Sequence, residues 1–95
     1  MFVIPRANVI ESDEGFSVEV LGRTGMKYRE GDRSLSLYSE VLATGYGIAI
    51  WTRTISQWDP PHDGEPIGPE KKAVIVDNIK RAMEFRKAPL QIMET

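Results

Sequence analysis

The spacing of apolar residues changes character at Pro69, and that change limits the folds open to this chain. Ahead of it the apolar positions alternate. Phe16, Val18 and Val20 point away from Ser17, Glu19 and Leu21, the two-residue period of a half-buried strand. Beyond it, Ile75, Val76, Ile79, Ala82, Met83 and Phe85 fall close to the i, i+3, i+4, i+7 stripe of an amphipathic helix. Proline suits the first helical position, where its missing N–H costs nothing. Glu70 complements the positive end of the helix dipole, and Lys80, Arg81, Arg86 and Lys87 complement the negative end. Asp77 and Arg81 add a favourable i, i+4 pair. The pattern predicts one helix from Pro69 to about Arg86 that buries Ile75, Ile79, Ala82 and Met83, with Pro89 ending it.

Turn chemistry divides the first half into short strands. Ser12-Asp13-Glu14-Gly15 and the Gly22 to Gly25 stretch bracket the Phe16 strand, so an earlier strand, roughly Ala7 to Glu11, pairs with it as a hairpin. Met26 to Arg29 and Ser34 to Tyr38 read as further strands on either side of Glu30-Gly31-Asp32. Tyr46 to Trp51 is apolar on both faces, which suggests an inner strand with Trp51 in the core. Thr52 to Ile55 extends this strand after a bend, and Ser39 to Thr44 has room for one helical turn capped by Ser39. Leu90 and Ile92 alternate in a last strand. The expected fold is α+β: an antiparallel β-meander of about five strands, one C-terminal amphipathic helix packed on it, and a final short strand.

Ninety-five residues, 41% hydrophobic and 27% charged, fit a soluble globular chain read as a single domain over residues 1–95. A net charge of -2 supplies no basic field, so nucleic acid is not expected as a partner. No apolar run is long enough to span a bilayer, and Met1-Phe2-Val3-Ile4-Pro5 is too short for a signal-peptide core, so no membrane association is expected and the cytoplasm is the default location. The absence of cysteine removes disulfides, thiolate nucleophiles and cysteine-based zinc sites.

Catalytic patterns are missing as well. Nucleophilic catalysis needs a base beside a nucleophile, and the one histidine, His62, sits between Pro61 and Asp63 in a polar loop. His62 with Asp59, Asp63 or Glu65 could hold a divalent metal, but carboxylates so close in sequence are more often a solvated loop, and two prolines break the local geometry. Gly45-Tyr46-Gly47 lies inside a strand-like run and is no phosphate loop. The expectation is a non-enzyme with no cofactor and no structural metal. What stands out instead is the loop itself, Trp58-Asp59-Pro60-Pro61-His62-Asp63-Gly64-Glu65-Pro66. Its prolines fix the backbone, its charge is acidic, and a tryptophan stands at its mouth. Trp58 either pins the loop to the body of the protein or anchors a partner, since tryptophan is enriched at binding hot spots. The candidate partner-binding residues are Trp58, Asp59, Asp63 and Glu65.

The residues Tyr28, Gly31-Asp32-Arg33-Ser34-Leu35, Ser39-Glu40, Gly47-Ile48, Ile50, Ile55, Trp58-Asp59-Pro60-Pro61, Glu70, Ile75, Asn78-Ile79, Ala82 and Phe85 together resemble the immunity protein 74 family of bacterial polymorphic toxin systems. The resemblance covers about Phe16 to Ile92 and rests on spaced structural residues, not on a catalytic signature. It implies a small cytoplasmic α+β protein, made beside a secreted toxin, that protects the producing cell by binding and blocking that toxin. It carries no catalytic residues onto this chain, and the Pro60 to Gly68 stretch has no position-by-position match. An acidic, rigid loop suits capture of a cognate protein toxin with a basic surface, such as a nuclease domain. Two other classes stay open: a small accessory or structural domain that self-associates through a sheet edge, as a homo-oligomer, and a metal-dependent enzyme built on His62.

Overall fold

A computed structural model describes residues 1–43 and 47–94. Its strands are β1 (Phe2–Arg6), β2 (Val9–Ser12), β3 (Phe16–Val20), β4 (Thr24–Glu30), β5 (Arg33–Val41), β6 (Ile48–Trp51) and β7 (Leu90–Met93), and α1 (Pro69–Phe85) lies between the last two. The strands form one sheet in chain order. Neighbours from β1 to β6 are antiparallel, whereas β7 runs parallel to β6. A parallel neighbour cannot be reached by a hairpin, and α1 is the crossover that the geometry demands. The expected α+β architecture is therefore the one observed, with the helix within a residue of its predicted end.

The strand β1 is the addition. Its run Phe2-Val3-Ile4-Pro5-Arg6 has no alternation to announce a strand, and its pairing with β2 shifts register between Val3 and Arg6. The β-branched run after β6 does not extend the strand but forms a 3-10 turn, Thr52–Thr54. There Thr54 Oγ1 donates to the Trp51 carbonyl at 2.7 Å and accepts the Tyr38 amide at 2.9 Å, so the side chain makes the ladder contact that a continuing strand would have made. Ser39 is buried inside β5, which runs on to Val41 in place of the expected helical turn. The anticipated start of a strand at Tyr46 and the Thr44 end of that turn lie outside the described residues.

One face of the sheet carries the core. Ile10, Phe16, Val18, Met26, Tyr28, Leu35, Leu37, Ile48 and Ile50 meet Ile75, Ile79, Ala82 and Met83 of α1 in a single buried cluster. Among the described residues no helix covers the opposite face, and Trp51 lies on it half-buried, its ring 4.9 Å from that of Tyr38 in an edge-on arrangement. Trp51 is thus not in the core as expected: within β6 its parity opposes that of Ile48 and Ile50. Gly47 explains how β6 begins. Its φ is +114°, and a Cβ there would come within 2.6 Å of the Pro89 carbonyl oxygen, which accepts the Ile48 amide at 3.0 Å. Only glycine allows the chain entering β6 to pass so close to the start of β7.

Candidate partner-binding surface

The length mismatch between β5 and β6 creates the loop's seat. Strand β5 has nine residues, but β6 covers it only from Ser39 to Val41. Toward Ser34 the same edge of β5 would present open amides and carbonyls, an unfavourable state for a strand inside a sheet. The chain after the 3-10 turn fills that edge. The Asp59 amide donates to the Ser34 carbonyl at 2.7 Å, and Asp59 Oδ1 accepts the Ser36 amide at 3.2 Å. Asp59 Oδ2 accepts the hydroxyls of Ser34 and Ser36 and lies 3.5 Å from Lys27 Nζ. A single aspartate thus imitates a short piece of strand.

Trp58 fixes the same segment from the other side. It is 5% exposed and belongs to the core cluster. This burial is the geometry that the pinning role requires: alternation along an extended segment sends the side chain inward as Asp59 turns to the edge of β5. The loop closes at its base through an isolated bridge between Gln57 and Pro66 and through the Ile67 amide on the Ser56 carbonyl. Inside it, the His62 amide donates to Asp59 and the Glu65 amide to His62, each at 3.0 Å, and the Pro60–Pro61 bond is cis.

Asp63 and Glu65 remain at the surface. Glu65 accepts two bonds from Arg33, at 2.8 and 3.2 Å, and this pairing raises the Arg33 guanidinium above its ordinary range. Arg33 also reaches Asp32 at 3.1 Å, and His62 Nε2 stands 3.8 Å from the other oxygen of Asp32. The β4–β5 turn is therefore part of this surface. Asp32 and Arg33 were not among the sequence-derived site residues, because nothing local shows that a turn will meet a loop thirty residues away. The loop carboxylates do not converge on a metal: Asp59 is bound to serines and Lys27, Glu65 to Arg33, and His62 faces Asp32. Among the described residues no group of three or more histidine, aspartate or glutamate side chains is placed to hold a metal ion.

A polar chain ties the surface to the first turns of α1. Lys71 Nζ donates to Glu30, and Tyr28 Oη donates to the same carboxylate at 2.6 Å. Asn78 Nδ2 donates to Tyr28 Oη at 2.9 Å while Asn78 Oδ1 accepts from Arg81. Burial would raise the Glu30 carboxyl, but the hydrogen bonds from Lys71 and Tyr28 outweigh it and hold the group below the usual range. Burial and the neighbouring Glu30 push the Tyr28 phenol upward. Around the loop and the β4–β5 turn, Glu30, Asp32, Asp59, Asp63 and Glu65 outnumber Lys27, Arg33 and Lys71, leaving a net negative surface on a fixed frame.

A model of the immunity protein 74 family matches residues 17–93, from β3 to the last residue of β7. The chain belongs to the immunity protein 74 family. Membership makes it an immunity protein of a toxin system, a class that generally acts without catalysis. No curated protein and no solved structure matches the chain. No helix among the described residues is long and apolar enough to cross a membrane.

Proposed function

We propose that this immunity protein binds and neutralises a cognate toxin by direct contact, without catalysis, through the acidic corner formed by the loop tip and the β4–β5 turn. Asp63 and Glu65, joined by Asp32, form the charged rim. Trp58 and Asp59 serve the interface indirectly by holding the loop in the shape that the partner meets. The observation that carries this reading is the combination of net negative charge with a loop fixed at both Trp58 and Asp59, so little conformational entropy is lost on binding. The partner it suits presents a basic face, as a nuclease domain does. Binding would take place in the cytoplasm of the producing bacterium.

The test is to express the toxin domain encoded beside this gene, then measure association rates and rescue of growth. Rim charges act mainly on association and its salt dependence. The triple variant Asp32→Asn, Asp63→Asn, Glu65→Gln should associate about tenfold more slowly at low salt, with a smaller difference at high salt. Association equal to that of the parent would move the interface elsewhere, and the exposed Tyr38 with Trp51 on the open sheet face would be the next surface to mutate. A parent that neither binds the toxin nor rescues growth would refute the immunity mechanism itself.

A further inference from the structure

The two edges of the sheet are protected unequally. Strand β1 carries Pro5, Arg6 and a register shift, devices that keep an edge from pairing with another strand. Strand β7, Leu90-Gln91-Ile92-Met93, has no charge, no proline and no shift in its register with β6. The Ile48 amide bonds to the Pro89 carbonyl, and in a parallel ladder successive residues turn their backbone groups to opposite sides. Gln91 and Met93 therefore point theirs at β6, while Leu90 and Ile92 point theirs away from the sheet. Leu90 packs against the core cluster, so the side chain of Ile92 shares the helix-side face, where it is 39% exposed.

We infer that β7 pairs antiparallel with β7 of a second copy of this chain, giving a two-fold dimer with one continuous sheet. With Gln91 on the two-fold axis, Leu90 of each copy faces Ile92 of the other. Both are residues with outward backbone groups, so each pair exchanges two ladder bonds, and the exposed Ile92 is covered by Leu90 from across the axis. The same register sets Glu94 opposite position 88 of the second copy. A groove at that end of β7 is lined by Lys80, Lys87, Ala88 and Leu90 together with Glu84 and Pro89. Lys80 also lines the groove beside Ile92 and Glu94 of its own chain, so the pairing specific to the dimer is Glu94 of one copy with Lys87 of the other, and the edge is complementary to itself. This inference does not depend on the toxin partner.

Sedimentation of the parent protein over a dilution series should show a reversible monomer–dimer equilibrium. Ile92→Lys should weaken it at least about tenfold. Glu94→Lys alone, and Lys87→Glu alone, should each weaken self-association by about tenfold through like charges. Mixed with each other, these two charge variants should form a heterodimer of near-parental affinity, because the exchange restores opposite charges at both ends of the shared ladder. Circular dichroism checks that each variant is folded, and the charge pair keeps the test open if Ile92→Lys is not. A parent that stays monomeric up to about 1 mM would overturn the inference. A dimer that ignores all these changes, or charge variants that do not rescue one another, would overturn it equally.

Discussion

Truncation of Trp58 to alanine separates the two roles open to this residue. The side chain is 5% exposed in the core cluster, and comparable large-to-small changes cost about 3–5 kcal/mol through lost transfer energy and the cavity left behind. A domain of this size has roughly 5–15 kcal/mol in all, so the loss is a large share of the total. With a urea dependence of about 2 kcal/mol per molar, a loss near 4 kcal/mol lowers the unfolding midpoint by roughly 2 M. Asp63→Asn, at the exposed tip, should stay within about 0.5 kcal/mol of the parent. A second observation avoids unfolding altogether: in a Trp51→Phe background the remaining Trp58 fluorescence should be shielded from an aqueous quencher. If Trp58→Ala unfolds at the parental midpoint with an unchanged slope while toxin binding is lost, Trp58 is a surface anchor and the pinning argument is wrong.

The acid limb of stability gives a further prediction. Because the folded state holds the Glu30 carboxyl below its ordinary range, the unfolded chain binds that proton more readily; the stabilisation is present above the unfolded pKa and is lost as pH falls through the folded one. Glu30→Gln should cost about 1–2 kcal/mol at neutral pH, the value of charge-assisted hydrogen bonds reduced for a side chain 31% exposed, and should flatten part of the loss below the usual glutamate range; a variant profile parallel to the parent's would rule Glu30 out as a contributor. Gly47→Ala should lower stability by at least about 2 kcal/mol in urea, since a positive φ and backbone contact with Pro89 combine there, whereas Gly31→Ala, with φ +61° and open space around it, should cost only about 1 kcal/mol. Equal costs at the two glycines would remove the close approach of β6 and Pro89 as the reason for glycine at position 47.

What could be read in advance was whatever repeats locally. The α1 stripe of Ile75, Ile79, Ala82 and Met83 and the alternation around Phe16 and Leu35 each follow from a period of the chain, and both hold in the structure. The parallel placement of β7 does not, because Leu90 and Ile92 alternate in the same way whichever direction the neighbouring strand runs. Trp51 illustrates the same limit. An aromatic residue in an apolar strand reads as core, yet whether its face is covered depends on where α1 lies, and α1 lies on the other side. At the loop, the sequence marks Trp58-Asp59 as unusual without showing why. The reason, an edge of β5 left open by a shorter β6, exists only once strands with different lengths are side by side.

That mismatch also accounts for how the proposed recognition surface can be changed without unfolding the protein. The residues that satisfy β5, Asp59 with Thr54, and the residue that reaches the core, Trp58, all precede the loop tip. Among the described residues the tip is tied to the body by the bridge and the Ile67–Ser56 hydrogen bond at its base, by the exposed pair of Glu65 with Arg33, and by the half-buried His62 beside Asp32. Exposed ion pairs contribute about 0–1 kcal/mol, so substitutions at the exposed Asp63 and Glu65 alter charge and shape at little cost in stability. Changes at Trp58 or Asp59 would remove the frame on which that charge is displayed. On the proposed binding of a toxin through this tip, such a separation lets the side chains that set specificity differ between partners while the fold that positions them stays the same.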